Sequence, residues 1–114
     1  MEGRFALGKK AGTWIEWYDG IDRPRSEGRF KDGEANGACS VWFANGTLQT
    51  AGEYAQNMKS GEWTEWYDNG EQRSSGSYLK GRKTGRWMFY DASGNLDQGA
   101  TGNYVDDERV SPAN

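Results

Sequence analysis

The chain has 114 residues, the length of a single domain, with a net charge of −3 and no histidine. The acidic balance argues against nucleic acid as a partner and disfavours anionic membrane surfaces, since both select basic proteins. Without histidine the commonest general base and metal ligand is missing, and the single cysteine cannot form an intrachain disulfide. No apolar segment is long enough for a transmembrane helix or a secretory leader, so we expect a cytoplasmic location.

The apolar residues are few and of an unusual kind. Only 34% of the chain is hydrophobic, and it holds sixteen aromatic residues but only nine of leucine, isoleucine and valine. Because aromatic side chains bury large areas, any core of this chain must be aromatic. The seventeen glycines indicate many turns or close backbone approaches.

Two glycine triplets recur through the chain and interleave with each other. The first has the form Gly-x-aromatic and returns every 24 to 26 residues, as Gly3-Arg4-Phe5, Gly28-Arg29-Phe30, Gly52-Glu53-Tyr54, Gly76-Ser77-Tyr78 and Gly102-Asn103-Tyr104. The second has the form Gly-x-Trp, as Gly12-Thr13-Trp14, Gly37-Ala38-Cys39, Gly61-Glu62-Trp63 and Gly85-Arg86-Trp87. Repetition at this period is typical of a protein built from stacked supersecondary units.

Two turn signals accompany each unit. The pairs Asp19-Gly20, Asn45-Gly46, Asn69-Gly70 and Ser93-Gly94 predict tight type I′ hairpin turns. The segments 31–36 and 79–84 predict looser connections. The strands predicted between these turns lie near 4–7, 13–18, 25–31, 38–43, 49–55, 62–67, 73–79, 86–91 and 101–105.

These elements predict an all-β fold, an elongated single-layer antiparallel β-meander of about four hairpin repeats of 24 residues. The repeat domain is predicted to span 1–104, with units near 3–27, 28–51, 52–75 and 76–104. Residues 105–114 are predicted to form a polar, mobile tail. Since no cap precedes the first unit, we expect either a fragment of a longer array or a sheet edge that pairs with a second copy.

Residue alternation places aromatic side chains on both faces of the predicted sheet. Trp63 and Glu65 share one face, whereas Thr64 and Trp66 share the other. The face with Trp14, Trp63 and Trp87 is richer in rings, and we expect it to be the better buried. The repeated glycines are expected to leave room for a cross-strand ring to lie over the backbone.

The units resemble a MORN repeat. The resemblance is carried by Gly61-Glu62-Trp63-Thr64-Glu65-Trp66-Tyr67-Asp68-Asn69-Gly70 and by Gly76-Ser77-Tyr78-Leu79-Lys80-Gly81-Arg82-Lys83-Thr84-Gly85-Arg86-Trp87, and it extends over residues 3–104. The chain is most similar to the degenerate bacterial variant, which includes the YwqK-like antitoxin family. The resemblance implies β-hairpin repeats that serve as scaffolds for protein contacts, in some members at membranes. Cys39 departs from the pattern, because a tryptophan is expected there.

No constellation typical of an enzyme is present. Cys39 has no imidazole to activate it and is interpreted as a small apolar filler on a strand. Glu16 and Glu65 recur in mid-strand, where solvated or structural roles are expected, and Gly81-Arg82-Lys83-Thr84-Gly85 lacks the pattern of a phosphate loop. We therefore predict a non-enzymatic protein with no catalytic residue, no cofactor and no metal site.

A third series of aromatic residues is the candidate partner-binding stripe. It comprises Trp17, Trp42, Trp66 and Tyr90, each three residues beyond the second triplet. Small or polar neighbours surround these rings, which could pack on each other and on the intervening strands or could form an exposed interaction surface.

Three functions follow from this pattern. The first is a protein-interaction module, antitoxin-like in its role, whose acidic charge suits a basic protein partner. The second is a glycan or cell-wall binding module, because choline-binding repeats are also hairpins rich in tryptophan and tyrosine. The third is a membrane-associated scaffold, which the acidic balance disfavours.

Overall fold

In the computed structural model, which describes residues 2–6 and 8–112, every regular element is a strand. Ten strands form a single sheet in strict sequence order, each antiparallel to the next. The strands are β1 (Glu2–Ala6), β2 (Lys9–Trp17), β3 (Pro24–Lys31), β4 (Glu34–Trp42), β5 (Leu48–Ala55), β6 (Met58–Trp66), β7 (Gln72–Leu79), β8 (Arg82–Phe89), β9 (Gly102–Val105) and β10 (Glu108–Ser111). The predicted all-β antiparallel meander is confirmed.

The sheet is a single layer. Its extents are 49 × 31 × 13 Å, so it is only as thick as one sheet with its side chains. The radius of gyration is 15.9 Å, whereas a compact domain of this length would have about 13 Å. Among the described residues only Trp14, Trp63 and Trp87 are buried apolar side chains. Stability must therefore come from contacts within the sheet and not from a second layer.

The tight turns lie where loose connections were predicted, and the looser loops lie where tight turns were predicted. Two-residue turns connect β3 to β4 at 32–33, β5 to β6 at 56–57, β7 to β8 at 80–81 and β9 to β10 at 106–107. Both residues of each have positive φ, for example 51° at Lys80 and 82° at Gly81, as a type I′ turn requires. Asp32-Gly33 carries the usual type I′ signal, but Gln56 and Lys80 occupy positions where asparagine is usual, so the signal does not recur from unit to unit. In consequence β4, β6 and β8 begin about four residues earlier than predicted.

The Asn-Gly pairs lie instead in five-residue loops. In the loop between β4 and β5, Gly46 N donates to Phe43 O at 2.9 Å and Phe43 N donates to Thr47 O at 2.8 Å. Only the glycine has positive φ, at 90°. This is a type I turn followed by a left-handed glycine, the usual geometry of longer hairpin loops.

Each Gly-x-Trp triplet produces a bulge. Gly61 has a φ of 69°, a conformation that suits glycine. Beside it, the pairing between β5 and β6 passes from Ala51↔Thr64 to Glu53↔Ser60, so β6 contains two more residues than β5 over this stretch. The extra length lets the following tryptophan fold back across the sheet.

The segment predicted as a tail forms part of the sheet. Val105 ends β9 and Glu108–Ser111 forms β10, so the meander has a fifth, short hairpin. Thr101 anchors it: this side chain is 0% exposed and its Oγ1 accepts a hydrogen bond from Phe89 N at 2.9 Å. The sequence concealed this hairpin because its turn contains no glycine. Residues 113 and 114 of the predicted tail, and residue 7 of the first predicted strand, lie outside the described residues, as does the Phe5 side chain.

Lys80→Asn is expected to raise the free energy of unfolding by about 0.5 kcal/mol, because asparagine tolerates the left-handed conformation better than lysine. The exposed side chain of Lys80 leaves the backbone conformation as the main variable. Urea unfolding would measure the change. Lys80→Val, which adds a branched Cβ at the same φ, is the opposite control, and equal midpoints for the two variants would contradict the assignment of strain.

Candidate interaction surfaces

One face of the sheet, here called the indole face, is built from tryptophans that cover glycines. A Cβ atom placed on Gly3, Gly52 or Gly76 would lie 2.0–2.1 Å from Cδ2 of Trp14, Trp63 or Trp87. Only glycine allows so close an approach of a ring to the backbone. The expectation that these glycines make room for cross-strand rings is confirmed, and so is the expectation that these three tryptophans are buried.

The rings of the indole face form a continuous ladder in the second half of the sheet. Tyr54 and Trp63 meet edge to face at 5.1 Å between centroids, Trp63 and Tyr78 at 6.1 Å, and Tyr78 and Trp87 at 5.0 Å. Phe89 then stacks on Trp87 at 5.8 Å. Each such pair contributes about 0.5–1.5 kcal/mol beyond its buried area. The aromatic side chains thus act as the core of a sheet that has no second layer.

Each indole N–H is satisfied by the backbone of the strand that it crosses. Trp63 Nε1 donates to Glu53 O at 3.0 Å, Trp87 Nε1 donates to Ser77 O at 2.9 Å, and Trp14 Nε1 donates to Arg4 O at 3.0 Å. In all three units the acceptor is the carbonyl of the residue that follows the covered glycine. The orientation of each ring is therefore set by a hydrogen bond as well as by packing.

Lysine ammonium groups lie over these rings. Lys59 Nζ is 4.9 Å from the Trp63 ring centroid and 5.1 Å from that of Tyr78, and Lys83 Nζ is 5.4 Å from that of Trp87. Together with neighbouring residues they enclose a cleft of about 150 Å³, lined by Lys59, Trp63, Glu65, Ser74, Tyr78, Lys83, Trp87 and Phe89. The lysine ammonium groups occupy the positions over the ring faces where a cation would bind. The cleft therefore has no vacant place over these rings for another cation.

The ladder is interrupted in the second unit. Cys39 occupies the position of the expected tryptophan, and a Cβ on Gly28 would meet nothing closer than 3.9 Å. A cleft of about 100 Å³ lies here, lined by Lys10, Trp14, Glu16, Ser26, Glu27, Gly28, Phe30 and Cys39. Burial raises the pKa of the Cys39 thiol, and the positive charge of Lys59 opposes this only in part. The thiol is therefore protonated at neutral pH, in keeping with its prediction as a small apolar filler.

The structure places the predicted stripe away from the ladder. Trp17 is 37% exposed, Trp42, Trp66 and Tyr90 are half-buried, and none of the ring contacts within the described residues involves these four side chains. Strand alternation puts Trp66 on the face of Thr64, opposite to Trp63. No ring contact between the stripe side chains is found among the described residues, whereas packing of these half-buried rings on the intervening strands, the other part of that alternative, stays a prediction.

The face that carries the stripe also holds a broad, shallow depression. It measures about 540 Å³ and is lined by Ala38, Cys39, Ser40, Ala51, Gly52, Glu53, Glu62 and Thr64. Small side chains form its floor, and two carboxylates border it. Trp42 and Trp66 end the strands β4 and β6, which pass through the depression. An open surface with two carboxylates thus adjoins two aromatic side chains.

Side chains at the loop edge connect each unit to the next, which sequence reasoning did not foresee. Asn45 Nδ2 donates to Asp68 O and Asn69 Nδ2 donates to Ala92 O, each at 3.0 Å. Tyr67 O–H donates to Tyr90 O at 2.7 Å. The Asn-Gly pairs recur visibly in the sequence, but their role in turns already explained this recurrence, so no hydrogen bond between units was predicted from them. These hydrogen bonds join neighbouring repeats through side chains, in addition to the pairing of their strands.

Within residues 2–6 and 8–112, no three or more cysteine, aspartate or glutamate side chains are grouped so that they could hold a metal ion. Every buried side-chain nitrogen or oxygen there has a hydrogen-bond partner. No helix capable of crossing a membrane is found in the described part of the chain.

The fold and its surfaces define the class of this protein as a single-layer β-repeat meander with two chemically different faces. One face is an aromatic ladder capped by lysines. The other carries the stripe beside an open depression bordered by Glu53 and Glu62, and Arg86 lines the neighbouring depression with Glu62. No protein-family model matches the chain, and no curated protein is significantly similar to it.

Proposed function

We propose that the protein is a non-enzymatic protein-interaction module of MORN type that binds its partner through the stripe face. The observation that carries the proposal is the single layer, 13 Å thick, which leaves both faces uncovered, together with the absence of the stripe rings from the ladder of the indole face. Tryptophan is the residue most enriched at interface hot spots, and Trp17, Trp42 and Trp66 take no part in the ring ladder. A role in binding would account for their recurrence at one place in each unit.

The chemistry of the face favours a basic partner. Glu53 and Glu62 border the depression beside the stripe, and the whole chain carries a net charge of −3. Complementary charge on a partner would steer the encounter and set the register, and the aromatic rings would supply buried area. An antitoxin-like role, in which the sheet covers a basic protein, agrees with these features.

The other candidate functions have less support. A choline-type ligand needs vacant aromatic cages, whereas Lys59 and Lys83 already place ammonium groups over the rings of the indole face. A membrane scaffold would have to overcome the acidic balance.

Pairing with a second copy is a further prediction, because β10 pairs with β9 alone among the described strands.

A pull-down from lysate of the source organism tests the proposal with the double variant Trp42→Ala/Trp66→Ala. The partner is expected to be captured by the unchanged protein and lost by at least tenfold in the variant, about 1.4 kcal/mol or more. Leu79→Ala/Val105→Ala is the matched control, because these side chains are 63% and 55% exposed but lie beside the two-residue turns. Trp42 and Trp66 lie at the other ends of the strands, beside the five-residue loops. Equal thermal melting of all three proteins must accompany the result.

Retention of the partner by the folded double variant would contradict the stripe as the binding surface. Sedimentation of the protein with cell-wall material, without a protein partner, would replace the proposal by the glycan-binding alternative. Flotation with anionic vesicles would replace it by the membrane scaffold.

A further inference from the structure

Three lysines hold one place in the repeat and lie on the indole face. Lys10, Lys59 and Lys83 each precede the tryptophan of their unit by four residues, whereas Ala35 takes this place in the second unit. Each ammonium group lies 4.8–5.9 Å from the centroids of two rings of the ladder. Within the described part of the chain none of these lysines forms an ion pair. The rings thus hold the ammonium groups in place, and their outward N–H groups are free to contact an anion.

The cleft that contains two of these lysines is positively charged, unlike the chain as a whole. Lys59, Lys83 and Glu65 are the ionised side chains that line it. Glu65 Oε2 accepts a hydrogen bond from Ser74 Oγ at 3.3 Å and not from either lysine. The nearby Asp107 accepts the backbone N–H of Lys83 at 2.7 Å and does not line the cleft. Two positive charges against one negative charge favour an anionic ligand here.

Two tyrosine hydroxyl groups on the same face reach solvent without a partner. Tyr18, Tyr67 and Tyr104 each donate their hydroxyl hydrogen to a backbone carbonyl. The hydroxyls of Tyr54 and Tyr78 have no such bond among the described residues, and since every buried polar side-chain atom there has a partner, both are open to solvent. Burial of the rings raises the pKa of both phenols, so they remain protonated donors at neutral pH. Each can donate to a carbonyl of a ligand.

The spacing of these groups selects the conformation of a ligand. Lys59 and Lys83 lie on strands two apart, as do Tyr54 and Tyr78, which separates equivalent residues by about 10 Å. A polyproline II helix has three residues per turn and rises about 3.1 Å per residue, so its residues i and i+3 lie on one side about 9 Å apart. A β-strand would direct the same two residues to opposite sides. Carboxylates at every third residue of a polyproline II segment therefore match the lysines.

We propose that the indole face binds an acidic segment of a partner polypeptide in the polyproline II conformation. Its carboxylates at i and i+3 pair with Lys59 and Lys83, and its backbone carbonyls accept hydrogen bonds from Tyr54 and Tyr78. Aromatic surfaces suit such segments, because the ligand is already extended and loses little entropy on binding. The segment would cross the strands along the 49 Å axis of the sheet. This surface is opposite to the stripe and does not depend on the function proposed for the stripe face.

Two peptides of equal composition and charge test the spacing by NMR titration of the isotope-labelled full chain. The first, acetyl-Pro-Glu-Pro-Pro-Glu-Pro-Pro-Glu-Pro-amide, should give saturable shifts centred on Lys59, Tyr78 and Lys83. The second, acetyl-Pro-Pro-Pro-Glu-Glu-Glu-Pro-Pro-Pro-amide, should bind about fivefold or more weakly, because its adjacent carboxylates reach one lysine at a time. Equal affinity for the two peptides, or the absence of localised shifts, would overturn the proposal.

Variants of the protein establish whether the peptide binds at the lysines over the rings. Lys59→Met/Lys83→Met should weaken binding of the first peptide about tenfold or more. Lys31→Met/Lys80→Met is the matched control, since it removes the same charge from two exposed lysines that lie over no ring of the described residues. Tyr78→Phe removes one hydroxyl and keeps the ring, so a several-fold loss is expected even if the double variant does not fold. Unchanged binding by either folded variant, or an equal loss in the control, would refute the site.

Competition with other anions distinguishes a polypeptide from other sources of negative charge. Sodium phosphate and polygalacturonate should not displace the first peptide at an equal concentration of charged groups, because neither offers amide carbonyls to the tyrosine hydroxyls. Displacement by phosphate would identify a small-anion site, and displacement by polygalacturonate an acidic-glycan site. Either result would overturn the assignment to a polypeptide.

Discussion

Gly76→Ala is expected to lower the free energy of unfolding by about 3 kcal/mol or more, a large part of the total stability of a small domain. The new methyl group would lie 2.1 Å from Trp87 Cδ2, well inside van der Waals contact. The indole cannot withdraw without losing its bond to Ser77 O and its stacking on Phe89. Urea unfolding followed by tryptophan fluorescence would measure the loss.

Gly28→Ala is the matched control for this prediction. Gly28 holds the same place in its unit, but nothing lies within 3.9 Å of its added Cβ. Alanine there should leave stability unchanged or raise it by up to about 0.5 kcal/mol, because it restricts the unfolded chain. A similar loss in both variants would show that the cost comes from the strand position and not from the covering ring.

Trp63→Ala is expected to cost about 3–5 kcal/mol, the usual range for truncation of a buried tryptophan. The side chain is 4% exposed, lies between the rings of Tyr54 and Tyr78, and supports the ammonium of Lys59. Its removal interrupts the ladder at the centre of the sheet, so the two halves should unfold less cooperatively. Thermal unfolding monitored by circular dichroism would show a lower and broader transition.

Trp17→Ala makes the corresponding change in a stripe residue. Because its side chain is 37% exposed and takes no part in the ring ladder, the loss should stay within about 1 kcal/mol. An equal loss for both variants would mean that the stripe, like the ladder, serves the fold, and would remove the main support for its role in binding.

The architecture was predictable because several residue types recur together in each repeat. Glycines and aromatics return together at a period near 24 residues, and alternation along each strand assigns Trp63 and Trp66 to different faces. The close approach of rings to glycine backbones followed from the triplets as well. These features depend on residues near in sequence or one period apart, which a single chain displays directly.

The turns and the C-terminal hairpin were not predictable in the same way. Gln56 and Lys80 have positive φ because the two adjoining strands are in register and demand it, against their intrinsic preference. Likewise, Glu108–Ser111 pairs as a strand because β9 offers it an edge, although its own sequence is polar. Tertiary pairing overrode local propensity in both places.

The sequence by itself thus determined the all-β class, the period, the pairing order of the repeats and the residues that cover the glycines. Only the tertiary structure decided which turns are tight, where the meander ends, and that the stripe is separate from the ring ladder. It also showed that Gly28, unlike Gly52 and Gly76, has no indole over it. Local preferences are encoded residue by residue, whereas exposure and empty volume arise only when the strands are brought together.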